Sequence, residues 1–304
     1  MSDFPEFRKL TEENCAFRIV STRHLPELQR EIESRREKGE FDEQFSREYM
    51  FRFKFTPPEE LANATSLIIV AVPRPLTRAI FTWKGKQHTF ILPPTYTIYD
   101  EKRIRVERLI AEAVEKNGYK TATPELPLKL LAVRSGLAKY GRNNIAYVSG
   151  MGSFMRLTAV YSDMPCKKDD WQKPQELDRC AECALCSKAC PTGAISPDNF
   201  LLKAERCLTY YNEKKGNIPF PEWMKKPWHN CVVGCMLCQA ACPENKQFLT
   251  RIGETVELDE AETKLLLKGA SPTQISSSLM NKLKLLSIAD YLYELPRNLS
   301  VLLE

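Results

Sequence analysis

Residues 180–190 read CAECALCSKAC and run into Pro191, with two residues separating Cys180, Cys183 and Cys186 and three more before Cys190. Residues 234–243, GCMLCQAACP, return to the theme with Cys235, Cys238, Cys242 and Pro243. Nine of the eleven cysteines lie between positions 180 and 242, so chance clustering is no competitor. C-x2-C-x2-C-x3-C-P is a spacing that holds [4Fe–4S] clusters, the fourth cysteine ligating the other cluster of a pair. Soft thiolates are the ligands such clusters take, and two clusters need eight of them. The crossed pattern gives Cys180, Cys183, Cys186 and Cys242 to one cluster. Cys190, Cys207, Cys235 and Cys238 then hold the other. Structural zinc also accepts four thiolates, but it favours separated C-x2-C pairs over a four-cysteine run closed by proline. Cys231 stands one residue from where a complete second run would begin and competes with Cys207 for its place. A one-residue shift turns the thiol away, which favours Cys207 and leaves Cys231 spare.

Outward from that stretch, 304 residues are enough for a full core and more than one unit. The expected order is an α/β (or α+β) domain over 1–165, a ferredoxin-like double-cluster module over 166–250, and a helical tail over 251–304. Apolar residues make up 43% and charged residues 27%, the balance of a water-soluble fold. No apolar run approaches the roughly 20 residues of a membrane span. The opening MSDFPEFRKL lacks the apolar stretch of a secretory signal, so a cytoplasmic location with reduced thiols is expected. A net charge of +5 permits an anionic partner without demanding one, and no lysine or arginine block marks a nucleic-acid footprint.

The first region alternates between helical and extended patterns. Residues 24–50 are charge-rich with apolar positions at helical intervals and read as surface helix. SLIIVAVPRP, from Ser66, is a continuous apolar run ended by prolines, the pattern of a strand buried on both faces. AIFTWKGKQHTFIL alternates on both sides of Lys84-Gly85, predicting a hairpin. EKRIRVERLIAEAVEK, 101–116, places Ile104, Leu109, Ile110, Ala113 and Val114 along one helical face, stopped by Asn117-Gly118. A helix over LPLKLLAVRSG leads into GLAKYGRNN, and NIAYVSG and FMRLTAVYSD read as strands. Beyond 255 an acidic loop and two amphipathic helices are expected, LMNKLKLLSIADYLYEL being the clearer.

The order GLAKYGRNN, MGSF, CAECALCSKACPTGAI, ERCLTYYNEKKGNIP and GCMLCQAACPEN resembles the epoxyqueuosine reductase family over about residues 60–250. That family joins a cobalamin-binding domain to a double [4Fe–4S] module, and reductive dehalogenases are built similarly. The family's glycine stretch reads approximately G-L-G-x-x-G-K-N. Gly136, Leu137, Gly141 and Asn143 match it, while Ala138 replaces a glycine and Arg142 a lysine. The resemblance implies a base-off cobalamin contacted by Gly136, Leu137, Gly141, Arg142, Asn143 and Ser153. It also implies a low-potential electron donor of the flavodoxin or ferredoxin type.

The departures are specific. The family's proton-donating aspartate would fall near Ala122 and Thr123, where no aspartate stands. Glu125 is the nearest carboxyl, and Tyr99, at a helix start that resembles the family's, is a second candidate acid. The tail is not the helical-repeat extension of longer members, which makes a modified tRNA nucleoside possible but not favoured as substrate. None of His24, His88 and His229 sits in a D-x-H-x-x-G context that would supply a lower cobalt ligand. His229 reads as a surface or cluster-flanking residue, and Cys15 and Cys166 as packing residues. Two classes follow: a reductase passing electrons through two clusters to a corrinoid and an unidentified substrate, or an electron-transfer or activating protein serving a partner without cobalamin.

Overall fold

Residues 7–93, 101–196 and 200–304 are described by a computed structural model. In chain order its strands are β1 (Ala16–Ser21), β2 (Ser66–Pro73), β3 (Leu76–Trp83), β4 (Lys86–Leu92), β5 (Thr121–Ala122), β6 (Lys139–Tyr140), β7 (Ala146–Tyr147), β8 (Met155–Ser162) and β9 (Ile252–Leu258). The helices are α1 (Arg8–Glu12), α2 (Leu25–Glu37), α3 (Glu43–Phe45), α4 (Glu101–Glu115), α5 (Leu128–Arg134), α6 (Leu185–Ala189), α7 (Leu208–Asn212), α8 (Leu237–Ala240), α9 (Glu260–Leu267), α10 (Ser277–Leu285) and α11 (Leu295–Leu303). The chain divides into two compact units, 1–73 with 101–183 and 74–100 with 184–304. The boundary expected at 165 is therefore displaced to 183, and the hairpin of residues 76–92 groups with the C-terminal half.

In the first unit β1-β2-β8-β5 form one sheet, antiparallel at every pairing. This makes the unit α+β, the second of the two expected classes. β2 sits at an inner position, and Leu67 to Val72 are each at most 1% exposed. Its alternate residues serve two layers: Ile68, Val70 and Val72 join Val106, Ile110 and Val114 of α4 in one core, while α5 packs on β2 and β8. That double coverage is why the run is apolar without alternation. Replacing Ile69 with alanine is expected to cost about 2–5 kcal/mol, read from the urea midpoint of the whole chain against wild type. A change under 1 kcal/mol would mean the strand is covered on one face only.

The second unit holds a sheet β4-β3-β9, in which β3 pairs antiparallel with β4 and parallel with β9. Lys84 and Gly85 turn the hairpin with φ of 51° and 71°, the doubly positive geometry of a two-residue hairpin turn. Ala79 and Phe81, Val256 and Leu258, and Leu266, Leu279, Leu283, Leu295 and Leu299 make one core, which Val232 and Val233 enter from between the cysteines. The acidic loop expected beyond residue 255 thus begins as strand, β9 running on to Leu258. Its signal is two buried positions, Val256 and Leu258, around exposed Glu257, too short to mark a period by itself. LMNKLKLLSIADYLYEL is not one helix either. α10 stops at Leu285, Ser287 takes φ of 61°, and α11 begins at Leu295. The surface helix expected over 24–50 is interrupted, α2 stopping at Glu37 and helical turns resuming from Glu43 to Met50, and NIAYVSG contributes the two residues of β7. Among the described residues no helix is long and apolar enough to cross a membrane.

Candidate iron–sulfur centre

All eleven cysteines are free thiols. Cys186 lies on α6 and Cys238 on α8, two short helices packed on each other. Cys207 caps the start of α7. Burial is the main cause that pushes the Cys207 thiol up, and the neighbouring Cys190 adds to it. Burial likewise pushes Cys235 up to about 11, with Cys207 and Cys190 both contributing. Cys190, Cys207 and Cys235 therefore share one neighbourhood, as the crossed pattern asks of one cluster's ligands. Thiols raised in this way stay protonated until a soft metal displaces the proton. The donor set suits iron–sulfur clusters: thiols brought together, with hydrogen-bond donors trained on the sulfurs. Thr192 Oγ1 lies 3.4 Å from Cys190 Sγ, and Asn230 Nδ2 donates to Cys235 Sγ at 3.2 Å. Among the described residues no three His, Cys, Asp or Glu side chains close tightly enough for a single metal ion.

Cys231 is 2% exposed, and its thiol donates to Asn230 Oδ1 at 3.1 Å. Cys235 adjoins Cys231 as well as Cys207 and Cys190. His229 packs on the Phe220 ring, 4.5 Å between centroids, and burial with nearby Arg297 pushes its pKa down to about 4. His24 is engaged through both ring nitrogens, with Glu27 and Asp169 at 2.9 Å each, and stacks on Trp171.

The glycine stretch turns to a different task from the one the resemblance implies. Gly136 has φ of 71°, and a Cβ there would stand 2.7 Å from the Gln172 amide. At Gly141 a Cβ would meet Tyr147 at 2.5 Å and Asn143 at 2.7 Å. Asn143 is buried, donating to the Tyr147 hydroxyl at 2.9 Å and accepting from Ile145 N at 3.3 Å. Leu137 and Ser153 are buried as well. Arg142 lies against the first cluster cysteine: its backbone N–H donates to Cys180 Sγ at 3.4 Å, and its guanidinium to the Cys180 carbonyl. The segment that carries Cys180 is held to the same turn, since Tyr140 N donates to Gln175 O and Leu177 N to Tyr140 O, both at 2.8 Å. Protein side chains thus fill the space beside both glycines. As placed, these residues do not form a corrinoid cradle.

Neither candidate acid gains support. Glu125 is half exposed and paired with Lys54 at 2.6 Å, where a donor kept neutral would need burial away from cations. The Glu125 contact in turn raises the pKa of the exposed Lys54. Tyr99 falls outside the described residues. What the sequence reading missed is Asn230, whose amide reaches the Cys235 sulfur. Its position five residues before Cys235 is the only signal it carries.

Residues 179–245 match the 4Fe–4S double cluster binding domain family. An epoxyqueuosine reductase of Francisella cf. novicida is 28% identical over 206 residues, 62% of this chain and 55% of that protein. One from Cyclobacterium marinum is 37% identical over 116 residues, 38% of this chain and 36% of its own. In fold, a crystal structure of epoxyqueuosine reductase with an epoxyqueuosine-modified tRNA stem loop superposes with a TM-score of 0.70. It is 20% identical and covers 98% of this chain and 80% of that one. The chain is similar to epoxyqueuosine reductases over part of their length. It spans about half the length of the curated epoxyqueuosine reductases it matches, or less.

Proposed function

We propose that this chain is an iron–sulfur oxidoreductase of the epoxyqueuosine reductase type, working in the cytoplasm. Electrons from a flavodoxin- or ferredoxin-type donor pass through two [4Fe–4S] clusters to a reducible substrate. The observation that supports it most is the thiol set, eight cysteines at double-cluster spacing with Cys190, Cys207 and Cys235 in one neighbourhood. Bound clusters supply one-electron steps at potentials set by burial, charge and hydrogen bonds to sulfur. The chain's part is to hold Cys207 at the head of α7, to half-bury Cys235, and to direct N–H groups at Cys180 and Cys235. The modified tRNA nucleoside in the names of the relatives is the first substrate to test. Cobalamin belongs to this reading through the resemblance. Beside Gly136 and Gly141 stand the side chains of Gln172, Tyr147 and Asn143. A second reading, an electron-transfer protein serving a partner, is favoured by Glu125, the nearest candidate acid in sequence, being half exposed and paired with Lys54.

The test uses the full chain reconstituted anaerobically with iron and sulfide, reduced with dithionite, and given an epoxyqueuosine-containing tRNA stem loop with and without cob(II)alamin. Loss of the epoxide in the product nucleoside is the expected result. An unchanged nucleoside, with no cobalamin retained at micromolar protein, would hand the function to the electron-transfer reading.

A further inference from the structure

Asn230 occupies a position that the eight-cysteine reading leaves without a role. Its side-chain amide makes four contacts. Nδ2 donates to Trp228 O at 3.1 Å and to Cys235 Sγ at 3.2 Å. Oδ1 accepts from Met236 N at 2.9 Å and from the Cys231 thiol at 3.1 Å. The orientation of the amide is fixed by its partners. Met236 N–H can only donate, so the atom facing it is oxygen, and the Trp228 carbonyl can only accept, so the atom facing it is nitrogen. An amide has two donors and an acceptor oxygen with two lone pairs, and here each is used. The N–H is therefore pinned toward Cys235 and cannot flip away.

We infer that Asn230 is a positioning residue that sets the reduction potential of the cluster ligated by Cys235, through a fixed side-chain N–H···S bond. Reduction adds one electron and makes cluster and thiolates more negative. A donor aimed at a ligand sulfur stabilises the reduced form more than the oxidised form, which raises the potential. The same arrangement gives Cys231 its function. Its buried thiol donates to Asn230 Oδ1, one of the two contacts that hold the amide the right way round. Partners of metal ligands act in this way in other metal sites, by orienting the ligand and tuning its basicity.

The inference rests on the two-cluster reading, and the two fail separately. Iron and sulfide counts test the reading, while the potentials test Asn230. Asn230→Asp keeps an oxygen for Met236 N–H and the Cys231 thiol but turns an acceptor toward Cys235. Asn230→Ala removes the donor without adding charge. The full chain of each, reconstituted anaerobically, is titrated with dithionite while both clusters are followed by electron paramagnetic resonance. In both variants about eight irons are retained and one cluster shifts to lower potential. In Asn230→Asp the ratio of reduced to oxidised cluster, at the wild-type midpoint, falls at least tenfold, about 59 mV for a one-electron couple. The other cluster does not move. Cys231→Ser keeps a donor for Oδ1 and is expected to retain about eight irons, while loss of a cluster would make Cys231 a ligand and overturn its place as the amide's partner. Unchanged potentials in both Asn230 variants would overturn the inference. So would loss of a cluster in both, which would make Asn230 a brace of the ligand loop.

Discussion

Gly216→Ala is expected to yield little folded chain able to take up two clusters. An alanine Cβ at that position would lie 1.7 Å from the Tyr293 carbonyl oxygen, 2.7 Å from its carbon and 3.2 Å from Glu294 Cα. All three are backbone atoms, so no rotamer change relieves the overlap. The two segments cannot drift apart cheaply either. From α11, Arg297 donates to the carbonyls of Ile218 at 2.7 Å, Tyr211 at 2.8 Å, and Lys215 and Asn212 at 3.2 Å. Asn298 adds bonds to Asn212 O and Val232 O, both at 2.9 Å. All of those carbonyls but that of Val232 belong to the end of α7 and the loop after it, so the clamp that meets Gly216 also holds the segment starting at Cys207. Ordinary overpacking costs about 1–3 kcal/mol. A clash this short against clamped backbone exceeds it and takes a large share of the roughly 5–15 kcal/mol that hold a typical fold together. Gly39→Ala is the control, because Gly39 has φ of 67° with nothing near its Cβ position. It should lose only the 1–2 kcal/mol or so of left-handed backbone strain. Similar yields and denaturant midpoints for the two variants would show that the C-terminal helix does not pack on this loop.

The cysteine spacing was readable because cluster ligation is a local code: the gaps between thiolates decide which can share a cluster. β2 was readable because seven consecutive buried residues leave no alternation to misread, and the hairpin because Lys84-Gly85 names its turn. The pairing of β3 with β9 was not. It joins residues near 80 to residues near 255, and nothing local to either strand points to the other. The glycine stretch was half readable. Gly136 and Gly141 do mark close approaches, but a glycine does not say what approaches it, and here Gln172 and Tyr147 fill the space. Arg142, expected among the cobalamin contacts, meets Cys180 through its backbone N–H and its guanidinium. Arg297 acts through partners about eighty residues away, and Asn230 through the local fold of its loop, so their residue types alone carried no signal.

The crossed ligand assignment has the other large expected effect, since losing one thiolate of four should remove a whole cluster. Cys186 and Cys190 stand four residues apart in one run, and Cys242 belongs to the other run. A reading by proximity in sequence would group Cys186 with Cys190. The crossed pattern groups Cys186 with Cys242 and sets Cys190 with Cys207, Cys235 and Cys238. Three of those last four are neighbours in the structure, Cys190, Cys207 and Cys235. The decisive measurement is electron paramagnetic resonance of dithionite-reduced full-length Cys186→Ser, Cys242→Ser and Cys190→Ser, each reconstituted anaerobically and assayed for iron. Cys186→Ser and Cys242→Ser should lose the same cluster, Cys190→Ser the other, and each should keep about four irons. Loss of one and the same cluster in Cys186→Ser and Cys190→Ser, with Cys242→Ser losing the other, would contradict the assignment.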